Sequence, residues 1–138
     1  MNNDNQIQLP DYVLVNPRLT DDPIHKQGQT GVITAAILNT DEFYVGFEDH
    51  QVGLYSADAL LLLTPAESIY EYLREQALRL SPGDFKDLKN IALLLDHGTP
   101  KHILSAMKLV QNNGSILSAA TGPLDGFIGL NQSKGLKR

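Results

Sequence analysis

Along the first half of the chain apolar residues alternate with polar ones. Along the second half they recur at helical spacing, and the change falls near Thr64. Tyr12 to Val15 is a short β-prone run closed by Asn16-Pro17, and the polar stretch Arg18 to Gln29 reads as a loop. Gly31 to Leu38 is a second run, ended by the turn residues Asn39-Thr40-Asp41. In Glu42 to Glu48 the residues Phe43, Val45 and Phe47 share one face, and Tyr44, Gly46 and Glu48 share the other. After a tight turn at Asp49-His50 come the run Val52 to Tyr55, a single helical turn at Ser56-Ala57-Asp58 and a last run from Leu60 to Leu63. Short strands joined by tight polar turns predict a small antiparallel sheet that curls to enclose a core.

Past Thr64, three helix starts carry a capping signature. Thr64-Pro65-Ala66-Glu67 places Thr at the N-cap, Pro at the first helical position and Glu at the third, and Ser81-Pro82-Gly83-Asp84 repeats this with Asp. Thr99-Pro100-Lys101-His102 keeps the Thr and Pro without the acid. The first helix is predicted to reach Leu80, with Ile69, Tyr72, Leu73, Ala77 and Leu80 on its apolar stripe. The second covers Pro82 to Asp96, turns Phe85, Leu88, Ile91, Ala92 and Leu95 inward, and stops at Gly98. The third runs from Pro100 to Asn112, with Ile103, Leu104, Met107 and Val110 inward, and a fourth turn spans Ser115 to Ala120. From Thr121 a hook is expected, with Leu124, Phe127, Ile128 and Leu130 docking onto the helices. Leu93 and Leu94 add apolar width to the second helix, which calls for a further packing partner: the sheet, the tail or another chain.

Gly28 and Gly31 before Val32-Ile33, the hairpin Tyr44-Val45-Gly46-Phe47-Glu48-Asp49, then Gly53-Leu54-Tyr55 and Asp58-Ala59-Leu60 together resemble the small SH3-like barrels of the KOW and Tudor type, over roughly Tyr12 to Leu63. Together with the helical periodicity after Thr64, the resemblance to such a barrel predicts an α+β chain. A five-stranded SH3-like antiparallel barrel over residues 11–64 is followed by a helical subdomain of three to four helices over 65–130, with flexible tails at 1–10 and 131–138. It also implies a mode of binding, because Tudor-type barrels hold a methylated cation in a cage of aromatic rings. Tyr44 and Tyr55, with Tyr12 beside them, are the candidate cage residues here, and Asp58 or Glu48 would add charge. The plainer reading is that these tyrosines cover the sheet and hydrogen-bond through their hydroxyls.

Charge sharpens the division into halves. The formal net charge of −5 is unevenly placed: up to Pro65 nine acids face only Arg18 and Lys26, a balance of −7, and the remainder carries +2. The first half should therefore repel phosphate backbones. In the second half, Phe85 to Val110 can be read as a helix-turn-helix that would offer Lys101, His102, Ser105 and Lys108 to DNA, with Lys86 and Lys89 as phosphate anchors. The competing reading is a plain helical hairpin. The 138 residues contain no cysteine and no tryptophan, which excludes disulfides, thiolate chemistry and cysteine-ligated metals. The first ten residues lack the basic start and apolar run of a signal peptide, and the longest apolar run, Ala59 to Leu63, is far too short to cross a bilayer, so a cytoplasmic protein is expected.

Candidate chemistry is thin. Asp96, His97 and His102 surround a helix–helix turn, and His97 and His102 are weak candidates for a metal or proton-relay site. Their simpler role is structural, since a histidine at a helix C-terminus is favoured by the dipole alone. Asp21-Asp22 and Glu48-Asp49 read as solvated turn pairs, with cation binding the rarer alternative. No nucleophile elbow or phosphate-binding loop is present in the sequence. The expected function is a non-enzymatic protein-interaction or adaptor module without a cofactor, working through a protein partner or self-association. The alternatives are a nucleic-acid-binding, transcription-associated protein using the helices, and a ligand-binding protein or enzyme with a site between the halves.

Overall fold

The computed structural model describes residues 9–128. The strands β1 (Tyr12–Val15), β2 (Thr30–Ile37), β3 (Glu42–Gly46), β4 (Val52–Tyr55), β5 (Leu60–Leu63) and β6 (Thr121–Pro123) form one antiparallel sheet in the order β4-β3-β2-β1-β5-β6. Four α-helices, α1 (Ala66–Gln76), α2 (Pro82–His97), α3 (Pro100–Asn112) and α4 (Leu117–Ala120), lie between β5 and β6, and residues 124–128 are again helical. The chain is therefore α+β. Among the described residues, no helix is long and apolar enough to cross a membrane. The tails expected at 1–10 and 131–138 fall almost wholly outside the described residues, as does Leu130.

The expected five-stranded closed barrel is corrected to an open six-stranded sheet. Closure would require the terminal strands to pair. Instead, the second edge of β5 is taken by β6 (Leu61↔Pro123, Leu62↔Gly122, Leu63↔Thr121), and β4 remains an outer strand. The sheet still curls around a core on its inner face: Val13, Val15, Phe43, Val45, Phe47, Tyr55 and Leu60 are buried together. Leu124 and Ile128 complete this core. The hook after Thr121 thus docks into the sheet, not onto the helices as expected, because β6 carries the chain back across β5.

A second core lies on the other face. Strand side chains alternate, so Val13, Val15 and Leu60 point into the sheet core while Leu14 and Leu61 point the opposite way, among Ile69, Leu73, Leu88, Ile91, Met107 and Val110 of the helices. β1 and β5 are consequently buried on both faces, which is why they read as continuous apolar runs.

Two of the three expected helix caps form. The Ser81 hydroxyl accepts from the Asp84 N–H at 3.1 Å, and the Thr99 hydroxyl accepts from the His102 N–H at 3.2 Å. Gly98 closes α2 in the left-handed conformation at φ 72°, its N–H donating to Leu94 O. Thr64 does not cap α1. Its N–H donates to Ala120 O at 2.9 Å and continues the β5–β6 ladder, so Pro65 takes the N-cap position. α1 also ends at Gln76 and not Leu80, since the N–H groups of Arg79 and Leu80 both turn back to Gln76 O.

Leu14→Ala would open a void in the wall between the cores. It is expected to cost about 2–5 kcal/mol in urea denaturation, whereas Leu78→Ala, at a fully exposed position, should change stability by less than about 0.5 kcal/mol.

Candidate functional site

The alternation that divides the two cores also separates the candidate aromatic residues. Strand register pairs Phe43 with Tyr55 and Tyr44 with Leu54, so Tyr55 lies on the inner face and Tyr44 on the outer one. Tyr12 packs against the helical core. Asp58 lies beyond the end of β4, in the short 3-10 turn Ala57–Ala59, exposed and hydrogen-bonded by the Ser56 hydroxyl. The structure does not bring Tyr12, Tyr44, Tyr55 and Asp58 to one place, and their ring faces cannot converge on a cation.

Tyr55 has a different task. It is only 6% exposed, and its hydroxyl donates to Asp22 Oδ2 at 2.9 Å. The ring lies across Gly53, where a Cβ would come within 2.6 Å of it, so β4 needs glycine at that position. The buried Asp22 also accepts the N–H groups of Ile24 (3.1 Å) and Lys26 (2.9 Å). Lys26, likewise buried, pairs with Asp49, and its ammonium sits 5.4 Å from the centre of the Phe47 ring. These contacts clamp the loop between β1 and β2 onto the β3–β4 hairpin. Burial, followed by the hydrogen bond and charge of Asp22, holds the Tyr55 phenol well above the usual tyrosine range, and the Lys26 hydrogen bond holds Asp49 below the usual carboxylate range. In the sequence, Asp22 and Asp49 read as solvated turn acids, whereas the structure ties Asp22 to the buried Tyr55 and Asp49 to the buried Lys26. The available clue was Lys26, one of two cations among nine acids before Pro65.

His97 and His102 do meet: their rings stack with centroids 4.6 Å apart and planes 18° apart. The Thr99 hydroxyl engages His102 Nδ1 at 2.5 Å, while Asp96 is turned away to accept the Tyr70 hydroxyl at 2.9 Å. Among the described residues, no group of three or more His, Cys, Asp or Glu side chains could hold a metal ion. A cavity of about 620 Å³ lies between α1 and α2, lined by Tyr70, Leu73 and Phe85, and one of about 290 Å³ lies between the sheet and the helices, lined by Tyr12, Leu63, Leu95 and Met107. Neither takes in His97 or His102. The would-be recognition helix α3 is laid along the sheet, with Gln111 Oε1 accepting from the Thr30 hydroxyl at 2.9 Å and Lys108 Nζ 3.8 Å from Glu48 Oε2.

Among the described residues, the outer face of β2, β3 and β4 is left largely uncovered. The helices cover that face over β1 and β5, and α3 reaches as far as the Thr30 end of β2. Beyond them, one cross-strand row runs from Tyr12 through Val32 and Gly46 to Val52, and a second runs Ala35, Tyr44, Leu54. Val32, Ile37, Val52 and Leu54 are 40%, 44%, 56% and 52% exposed, unusual values for large aliphatic side chains gathered on neighbouring strands. Where this face meets α3, a cavity of about 280 Å³ opens between Leu104 and Lys108 on one side and Tyr12, Val32 and Gly46 on the other. Sequence reasoning found Tyr44 in this patch but not Val32, Val52 or Leu54, although strict alternation in Val52 to Tyr55 already sets Val52 and Leu54 opposite Tyr55.

These features define an α+β protein with a half-covered antiparallel sheet. No family model, curated protein or solved structure matches the chain.

Tyr55→Phe removes one of three donors to a buried carboxylate and is expected to cost about 1–3 kcal/mol at neutral pH. A phenol whose folded-state pKa is raised lends stability below the unfolded value of about 10, and that stability falls as pH rises past it. Denaturation midpoints between pH 9 and 11 should therefore decline less steeply for Tyr55→Phe than for the wild type.

Proposed function

We propose that the chain is a non-enzymatic protein-interaction module that receives its partner on the outer face of β2, β3 and β4. The observation that carries this reading is the row of exposed aliphatic side chains Val32, Val52 and Leu54 around Tyr44, continuous with the helical core on one side and ending at an outer strand on the other. Covering apolar surface releases about 25 cal/mol per Å², so such a patch gives up a large gain while bare. Tyrosine at the centre of an aliphatic surface is the composition that protein interfaces favour. The strand order β4-β3-β2-β1-β5 supports regarding the first half as an SH3-like barrel opened by β6, a scaffold for recognition through its surface. A cytoplasmic setting accords with the lack of cysteine. The nucleic-acid alternative has less support, because Lys108 is turned to Glu48 and α3 lies along the sheet.

The test is affinity capture from cell extract together with light scattering, for the wild type and for Leu54→Asp. A specific partner or a second copy held by the wild type should be lost from the variant, with the fold retained at a cost of about 1 kcal/mol because Leu54 is half exposed on an outer strand. A wild-type monomer that retains nothing, or a partner retained equally by Leu54→Asp, would refute the assignment.

A further inference from the structure

The hairpin between β3 and β4 specifies more than a sticky face. The Phe47 N–H donates to Gln51 O, and His50, in the left-handed conformation at φ 70°, returns its N–H to Phe47 O. This bonding makes Phe47 and Gln51 a hydrogen-bonded pair. Antiparallel pairs alternate between bonded and non-bonded, so Val45 with Gly53 and Phe43 with Tyr55 are bonded, and Gly46 with Val52 and Tyr44 with Leu54 are not. The N–H and C=O groups of Val52 and Leu54 therefore point away from β3, along the free side of the sheet. β4 is the terminal strand, and among the described residues no strand pairs with that side. The same two residues carry the most exposed aliphatic side chains of the outer face.

The charges around this edge have one sign. Residues 41–58 contain five acids and no lysine or arginine. Glu48 and Asp49 flank the Val52 end of β4. Glu42, in register with Ile37 and next to Phe43, lies at the Tyr55 end together with Asp58. Asp49 is paired with Lys26, and the highly exposed Glu48 has only a distant Lys108. Two copies of so acidic an edge would repel each other, which argues against β4–β4 dimerisation.

Resting on the interaction reading above, we infer that the occupant of this site is an extended segment of a basic partner, added as a seventh strand along β4. Its main chain bonds to the free groups of Val52 and Leu54. Alternate apolar side chains of the segment lie over the outer face beside Val52, Leu54 and Tyr44, and lysines or arginines at its ends meet the acids at either end of β4. The short strand and its flanking acids also protect the edge from indiscriminate pairing, which is how natural sheets blunt such strands. A matched, oppositely charged segment is the one ligand this protection admits.

The probe is a synthetic peptide of alternating valine and threonine with two lysines at each end, followed by NMR titration and amide hydrogen exchange of the full chain at low salt. Saturable binding that slows exchange of the Val52 and Leu54 amides is expected. Val52→Pro removes an edge donor but no ladder bond, and should weaken binding about tenfold or more with little change in melting temperature. The peptide N-methylated at alternate residues should lose binding to the same degree without any change to the protein. Absence of binding by the lysine-flanked peptide would overturn the inference. So would equal binding of a glutamate-flanked version, or binding that leaves the Val52 and Leu54 amides unprotected. The Leu54→Asp capture result is independent of these outcomes, so partner loss there with peptide failure here would sink strand addition and leave the interaction reading intact.

Discussion

The structure depends on two strands that are buried on both faces. β1 and β5 separate two cores, sending Val13, Val15 and Leu60 one way and Leu14 and Leu61 the other. A single such strand can be apolar throughout only if both of its faces are covered, and here each face is covered by a different part of the chain. Neither part is large: a few short helices bury too little surface to be comfortable alone, and so does a curled sheet of four- to eight-residue strands. Sharing one wall gives each the second layer it lacks. β6 and the helical residues that follow it reinforce the arrangement by returning to the sheet after the helices, which places Leu124 and Ile128 in the core of the first half.

The same geometry leaves a surface over. The helices are seated where Leu14 and Leu61 hold them, and their reach ends near β2, at the contacts of Gln111 with Thr30 and Lys108 with Glu48. Beyond that boundary the outer face continues over the rest of β2 and over β3 and β4, with no second layer among the described residues. Its apolar side chains are thus the continuation of a row that is core at one end and bare at the other. The inner face is closed differently, by the loop between β1 and β2, whose Asp22 and Lys26 tie down Tyr55 and Asp49. That loop is fastened by buried polar contacts, whereas the outer face of β2, β3 and β4 keeps its aliphatic side chains exposed.

Local pattern carried much of this. Alternation and short apolar runs bounded by turn residues placed the five strands of the first half, and the Ser81 and Thr99 caps with Gly98 set the limits of α2 and the start of α3, because each of these signals is written in adjacent residues. What failed was long-range. Thr64 has the chemistry of a cap, but Ala120, 56 residues on, claims it for the sheet. Barrel closure was expected because nothing near β5 announces that Thr121–Pro123 will occupy its edge. The plainer reading of Tyr55 has its hydroxyl hydrogen-bonded, but the partner, Asp22, lies 33 residues earlier and is not marked by any local pattern. The candidate site was half legible for the same reason. Tyr44 and Leu54 follow from period-two patterning, whereas their exposure follows from where the helices stop.

Native-state hydrogen exchange along the chain tests the shared wall most directly. If β1 and β5 belong to both cores, the slowest amides of β1, β5, α2 and α3 must open together, with one common free energy equal to that of global unfolding. An intermediate opening in which α1 to α3 exchange while β1 stays protected would show that the helices are a separable cap, and would contradict the account.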